Sequence, residues 1–327
     1  MTPEHPWHAE RTLTEAVVTP WILEAAPWLA GADVRAFSSG WDNAAFLVGE
    51  DLVVRFPRRR LAVDLLEVET RVLPHLVGRL SVRVPAPELV GRSPDEQAWP
   101  FVGYRLLPGT TACRAGLGED ERAGLAAPQG HFLGGLHTID VAEARAFGAG
   151  GDVLGRVEPT ERGERALDAL AEAATEGWLQ ASAVSVLGRM IASVLDAEPE
   201  PRATALCHGD LYARHLLVED GRLTGVIDWG DVHVGDPAVD LAVSLAFLPH
   251  AARPAFERAY AARAPLPDQR GRLLARLRAI GHSLTLLQYG QRGAEPELAF
   301  EARRTLHLLA QEFEDPESCS RGPGRLS

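Results

Sequence analysis

A chain of 327 residues can bury a substantial core, in one large domain or two lobes, and 46% hydrophobic against 24% charged residues is the balance of a soluble globular protein. The net charge of −12 argues against a nucleic-acid partner, because proteins that hold a phosphate backbone concentrate positive charge; solubility accounts for the acidic surface without a cationic ligand. No apolar run approaches the length of a membrane span, so no membrane partner is expected.

Met1 to Glu10 are polar and lack the apolar centre of a signal peptide, which makes the cytoplasm the expected location. Cys113, Cys207 and Cys319 have no metal-ligand spacing and are too scattered for a disulfide framework, so free thiols are expected. All 33 basic residues are arginine. Any site that ordinarily uses lysine must therefore use something else.

In chain order, residues 33–56 read as strands and turns. Phe37 to Asn43 form a turn cluster, and Ala45–Val48 and Leu52–Phe56 flank Gly49-Glu50-Asp51 as a hairpin. Residues 61–76 read as a helix with Leu61, Leu65, Val68, Val72 and Leu76 on one stripe. Glu67 points off that stripe, four residues before Arg71, as a solvated pair would. Glu69 falls inside the stripe, where an acid is costly unless it meets a cation. Extended segments follow at 87–91 and 100–107, and Leu107-Pro108-Gly109 breaks the second. The pattern then turns helical near 119–138, with Pro128 as an interruption, and at 161–178 and 180–196. Residues 205–231 return to short strands, Asp236-Pro237 opens a helix, and 268–289 and 296–313 are amphipathic helices. The Ser-, Gly-, Pro- and Arg-rich tail from Pro316 to Ser327 is expected to be disordered. This order gives a small mixed lobe over 1–107, a larger helical lobe over 108–315 and a tail over 316–327.

The chemistry concentrates between Cys207 and Gly230. In protein kinases a catalytic Asp stands five residues before a metal ligand, and a hairpin then leads to Asp-Phe-Gly. Here His208-Gly209-Asp210 precedes His215 by that interval, Leu216–Val218 and Leu223–Ile227 flank a Glu-Asp-Gly turn, and Asp228-Trp229-Gly230 follows. Phosphoryl transfer needs a carboxylate to orient an attacking hydroxyl and take its proton, with metal ligands close by for the β- and γ-phosphates. A short hairpin brings both acids to one edge.

The segment resembles the aminoglycoside phosphotransferase family, antibiotic kinases of the protein-kinase fold. It is closest in motif to the macrolide 2′-phosphotransferases, where His-Gly-Asp-Leu-Tyr-x-x-His also occurs. The likeness takes in Gly40-Trp41-Asp42-Asn43, Val54 to Arg59, Glu67 to Leu73, Tyr104 to Gly109, Leu136-His137 and Gly235 to Leu241. It implies a bilobal α+β fold, an antiparallel sheet in the first lobe, and a kinase that transfers the γ-phosphate of ATP or GTP to a hydroxyl of a macrolide or aminoglycoside. It further implies Asp210 as the catalytic base, Asp228 and His215 at Mg2+, and Ser39, Gly40, Arg55, Glu69 and Leu106 against the nucleotide. Arg55 stands where most kinases carry lysine; Glu69 is its expected partner, on the resemblance and on helix geometry alike. His215 departs from the commoner Asn, and direct metal binding, binding through water and positioning of Asp210 all stay open. Acceptors such as choline or homoserine, and a non-catalytic nucleotide-binding role, are the alternatives. His208 is expected to bond to backbone, Asp236 and Asp240 to cap a helix start, and His137 and His282 to be core histidines.

Overall fold

The computed structural model describes residues 9–314 apart from 41 and 294. Trp41 of the predicted turn, most of the polar N-terminus, Cys319 and the predicted tail lie outside the described residues.

The chain opens with helix α1 (Glu15–Ala25). Strands β1 (Val34–Ser39), β2 (Asn43–Val48) and β3 (Leu52–Pro57), helix α2 (Arg60–Leu76), and strands β4 (Pro87–Arg92) and β5 (Pro100–Arg105) follow. The five strands form one sheet in the order β1-β2-β3-β5-β4, antiparallel throughout. Side chains alternate across a strand, so Leu52, Val54 and Phe56 of β3 pack with Val18 and Ile22 of α1, while Arg55 emerges on the face that carries α2. The buried side of α2 runs through Ala62, Leu66, Glu69, Leu73 and Leu76, a spacing of three and four residues. It is rotated from the predicted stripe: Leu61 is 41% exposed. Ala62 and Val63 face inward instead: a count of leucines and valines passes over Ala62, and Val63 stands off the predicted stripe. Glu67 pairs with Arg92 of β4 at 2.9 Å and not with Arg71.

The rest of the chain is mainly helical: α3 (Glu119–Gly124), α4 (Ala126–His137), α5 (Val141–Ala146), α6 (Pro159–Thr175) and α7 (Ala181–Ala197), then α8 (Ala238–Phe247), α9 (Arg253–Ala261), α10 (Gln269–Arg292) and α11 (Pro296–Glu314). The predicted 119–138 helix is two, because Leu125 breaks it; Pro128 then sits in the first turn of α4, where its missing N–H costs little. Short strands β6 (Thr110–Thr111), β7 (Ala205–Cys207), β8 (Leu216–Glu219), β9 (Arg222–Val226) and β10 (His233–Gly235) form two small sheets, β6-β8-β9 and β10-β7. One core joins α2, α4, α8 and α9 around the fully buried Trp229; a second fills the space between α6, α7, α10 and α11. Among the described residues, no helix is long and apolar enough to cross a membrane.

Candidate active site

The loop 208–215 leaves β7, and the β8–β9 hairpin brings the chain back beside it. Pairing of Leu216 with Val226 extends outward as Ile227 N–H donates to the His215 carbonyl at 3.0 Å, which sets Asp228 next to His215. His208 closes the loop from the other end: its Nε2–H donates to the Ile227 carbonyl at 3.1 Å, and its Nδ1 accepts from Asp210 N–H at 3.3 Å. A carbonyl can only accept and a backbone N–H can only donate, so Nε2 carries the hydrogen, Nδ1 carries none and the ring is neutral; burial pushes its pKa down. Gly209 has φ +87°, and a Cβ there would lie 2.3 Å from the Asp231 carbonyl oxygen.

Asp240 acts on this loop and not on the start of its own helix. Its carboxylate accepts from His208 N–H at 2.7 Å and Gly209 N–H at 2.9 Å, and from His137 Nε2 at 3.1 Å. His137 in turn accepts from the Tyr260 hydroxyl at 2.9 Å, a fully partnered core histidine. Asp236 does serve the helix start, accepting from Ala238 N–H at 3.0 Å, and also receives Arg202 N–H and Arg270.

Asp228 is held in the left-handed region at φ +65° with its carboxylate 45% exposed. Arg55 Nη2 donates to its Oδ1 at 2.6 Å, while Nη1 of the same guanidinium donates to both oxygens of Glu69, at 2.8 and 3.1 Å. Glu69 is fully buried and also accepts from the Tyr104 hydroxyl at 2.8 Å. Burial pushes the Glu69 carboxyl up against the pull of Arg55; at Asp228 burial acts the same way, but Arg55 and His215 outweigh it and hold that carboxyl well below the usual range. One arginine thus bridges two acids, which the point charge of an ammonium is less suited to do. His215 Nδ1 donates to the Asp210 carbonyl at 2.7 Å and its Nε2 lies 3.2 Å from Asp228 Oδ2.

The Asp210 carboxylate is approached from the helical side. Arg278 Nη2 donates to Oδ1 at 2.8 Å, and Arg156 and His282 Nδ1 each lie 3.9 Å from the same oxygen. Burial would raise this carboxyl, but the surrounding cations, Arg156 foremost, hold it far below the carboxylate range. His282 is therefore not a plain core histidine. It faces Asp210, stacks edge-on to Tyr212, and is pushed down to about 3 by burial and by Arg278. Arg278 and His282 are four apart on α10, hence on one face; that spacing is the signal the sequence offers, and the apolar stripe of α10 conceals it. Arg156 lies in an irregular loop that carries no pattern.

Ser39 ends β1 opposite Ala44. Gly40 N–H donates to the Asn43 carbonyl at 2.9 Å and its own carbonyl accepts from Arg58 at 2.8 Å. Leu106 follows β5 with an exposed side chain, and its N–H is engaged by the Asp51 carbonyl at 2.6 Å. The structure thus brings Arg55, Glu69, Asp210, His215 and Asp228 into one hydrogen-bonded set, which Gly40 and Leu106 do not join.

The model of the phosphotransferase enzyme family matches residues 33–280. Viomycin phosphotransferase of Streptomyces vinaceus is 32% identical over 214 residues, 60% of this chain and 67% of that protein. The chain spans about two thirds of the length of the curated relatives it matches. Among solved structures, the GDP and kanamycin complex of APH(2")-IIia superposes with a TM-score of 0.64 at 25% identity, over 90% of this chain and 98% of that one. A macrolide 2′-phosphotransferase from Brachybacterium faecium does so with a TM-score of 0.56 at 26% identity, over 87% and 97%.

Proposed function

Because the chain belongs to the phosphotransferase enzyme family, we propose that it moves the γ-phosphoryl group of ATP or GTP to a hydroxyl of a small-molecule antibiotic. It is a phosphotransferase with an alcohol group as acceptor, on the protein-kinase-like α+β fold. The observation that carries the reading is the hydrogen-bonded line Glu69–Arg55–Asp228–His215–Asp210, which ties a buried acid of the sheet side to the carboxylate loop. The nucleotide side is proposed to be residues 1–107, with Ser39 and Gly40 over the phosphates, Arg55 against them, Glu69 holding Arg55, and Leu106 at the base. Residues 108–315 supply the acceptor side. The GDP in a structural neighbour supports a nucleotide as donor.

Asp210 is the base. It accepts the proton of the acceptor hydroxyl as that oxygen bonds to γ-phosphorus and the bond from γ-phosphorus to the diphosphate breaks. Asp228 and His215 suit a divalent cation. Both ring nitrogens of His215 donate here, Nδ1–H to the Asp210 carbonyl and Nε2–H toward Asp228 Oδ2, and the Asp228 charge raises its pKa against burial; Nε2 would offer a lone pair to a cation only once that proton is lost. Magnesium is the candidate, although an oxygen ligand would suit it better than imidazole; when bound, it supplies charge neutralisation to the β- and γ-phosphates. Asp210→Asn tests the assignment: turnover measured by product mass is expected to fall by roughly 10²–10⁴ with nucleotide affinity kept. Near-normal turnover would sink it.

A further inference from the structure

Asp210 has two carboxylate oxygens, and the helical side engages only one of them. Arg278 of α10 donates through Nη2 to Oδ1 at 2.8 Å, and the same nitrogen lies 3.4 Å from the Gly209 carbonyl, one residue back along the loop. Arg156 and His282 Nδ1 also approach Oδ1, but each stops at 3.9 Å, beyond a hydrogen bond. Arg156 is in any case committed to its ion pair with Asp231. Among the described residues, Arg278 is thus the side chain that hydrogen-bonds the reacting acid, and it does so at Oδ1. The hold is firm at both ends. The Arg278 side chain is buried on α10, which packs with α6, α7 and α11 around the second core. Asp210 follows the two N–H groups that Asp240 grips from behind. A nitrogen set against both a backbone carbonyl and the next side chain restricts the torsion between them. With Oδ1 held in this way, Oδ2 is the oxygen left for an incoming hydroxyl.

We infer that Arg278 is a positioning residue for the transfer: by holding Oδ1 of Asp210 it turns Oδ2 toward the acceptor hydroxyl. The hydroxyl oxygen bonds to γ-phosphorus, the bond from γ-phosphorus to the diphosphate breaks, and the hydroxyl proton goes to Oδ2. Arg278 takes no proton itself; it acts through the direction in which the carboxylate points, and a base that is turned away from its hydroxyl loses rate without losing charge. This inference rests on the reading of Asp210 as the base and deepens it.

A double-mutant cycle separates this role from a structural one. Turnover of the full chain with ATP or GTP and Mg2+ is followed by product mass with viomycin and kanamycin as probe acceptors, and by phosphate release with water as acceptor. Arg278→Gln is expected to lower kcat by roughly tenfold or more, the scale of one charged hydrogen bond, with the nucleotide KM unchanged. In an Asp210→Ala background the same change should lower kcat by less than about twofold, because the carboxylate it orients is gone. Arg278→Lys keeps the charge without the planar guanidinium and should fall between wild type and Arg278→Gln. An equal fold loss in both backgrounds overturns the inference, and so does an unchanged or raised kcat in Arg278→Gln. If Arg278→Gln does not fold, the cycle is run with Arg278→Lys and judged by the same outcomes. A wild-type chain inert toward all three acceptors overturns the kinase reading instead, and near-normal turnover in Asp210→Ala overturns the assignment of the base; either takes this inference with it.

Discussion

Arg55 does with one side chain what a lysine would do less completely. Its two terminal nitrogens hold Glu69 and Asp228 at once, so the residue links a buried acid to an exposed one. Arg55→Ala leaves the fully buried Glu69 carboxylate without its cation, and a buried charge stripped of its partner costs about 3–5 kcal/mol. Urea unfolding at neutral pH should show a loss of that size; a loss under about 1 kcal/mol would mean that the Tyr104 hydroxyl alone suffices for Glu69. Arg55→Lys keeps the charge but loses the fork. It should fold, with nucleotide affinity lower by roughly tenfold, the worth of one charged hydrogen bond. Glu69 itself is legible in the amino-acid sequence, because an acid inside an apolar stripe demands a cation. The buried face of α2 is rotated from the leucine and valine stripe, yet Glu69 belongs to it on either count.

At the scale of elements, the reacting loop is held from behind by α8. Asp240 accepts two consecutive N–H groups of the loop, His208 and Gly209, and Gly209 can approach the Asp231 carbonyl only because it lacks a Cβ. Asp240→Ala leaves both N–H groups buried and unpaired, at about 1–3 kcal/mol each. The expected outcome is a lower melting temperature together with lost turnover, read by calorimetry and a transfer assay on the same preparation. Retained stability with lost turnover would instead assign Asp240 to the chemistry. The residue pattern puts Asp240 at a helix start, and it is in the first turn of α8. What it bonds to does not follow from that position, because the partners lie 31 and 32 residues away.

For the whole molecule, the histidines buried among charges set a pH limit. His282 sits against Asp210, Arg278, Arg156, Tyr212 and His215, and it stays neutral in the fold down to about 3, against 6.5 unperturbed. His208 and His233 are lowered as well, chiefly by burial. Their folded pKa values lie below the unfolded ones, so the unfolded chain takes up protons first as pH falls. The contribution of these three is therefore complete above about 6.5 and declines below it, whereas His215, raised by Asp228 against its burial, contributes in the opposite sense and loses its share as pH rises. For His282 alone, linkage gives a loss on the order of 2 kcal/mol between pH 7 and 5. Urea midpoints at the two pH values should thus differ less in His282→Gln than in wild type; an equal drop would show that His282 is protonated in the fold.

The sequence by itself determined the local order of the molecule. The β2–β3 hairpin, α2, the β8–β9 hairpin between two acids, and the helices α6, α7, α10 and α11 follow from alternation, periodicity and turn residues, which act over a few neighbours. The spacing from Asp210 through His215 to Asp228 is local in the same sense, since one hairpin fixes it. Tertiary structure alone decided which cations face Asp210. Arg156, Arg278 and His282 come from a loop and a helix 54, 68 and 72 residues away along the chain. The packing of α6, α7, α10 and α11 on their shared core fixes where those charges meet. No periodicity encodes such a meeting, because it depends on how faces of different elements turn toward one another once the apolar surface is buried.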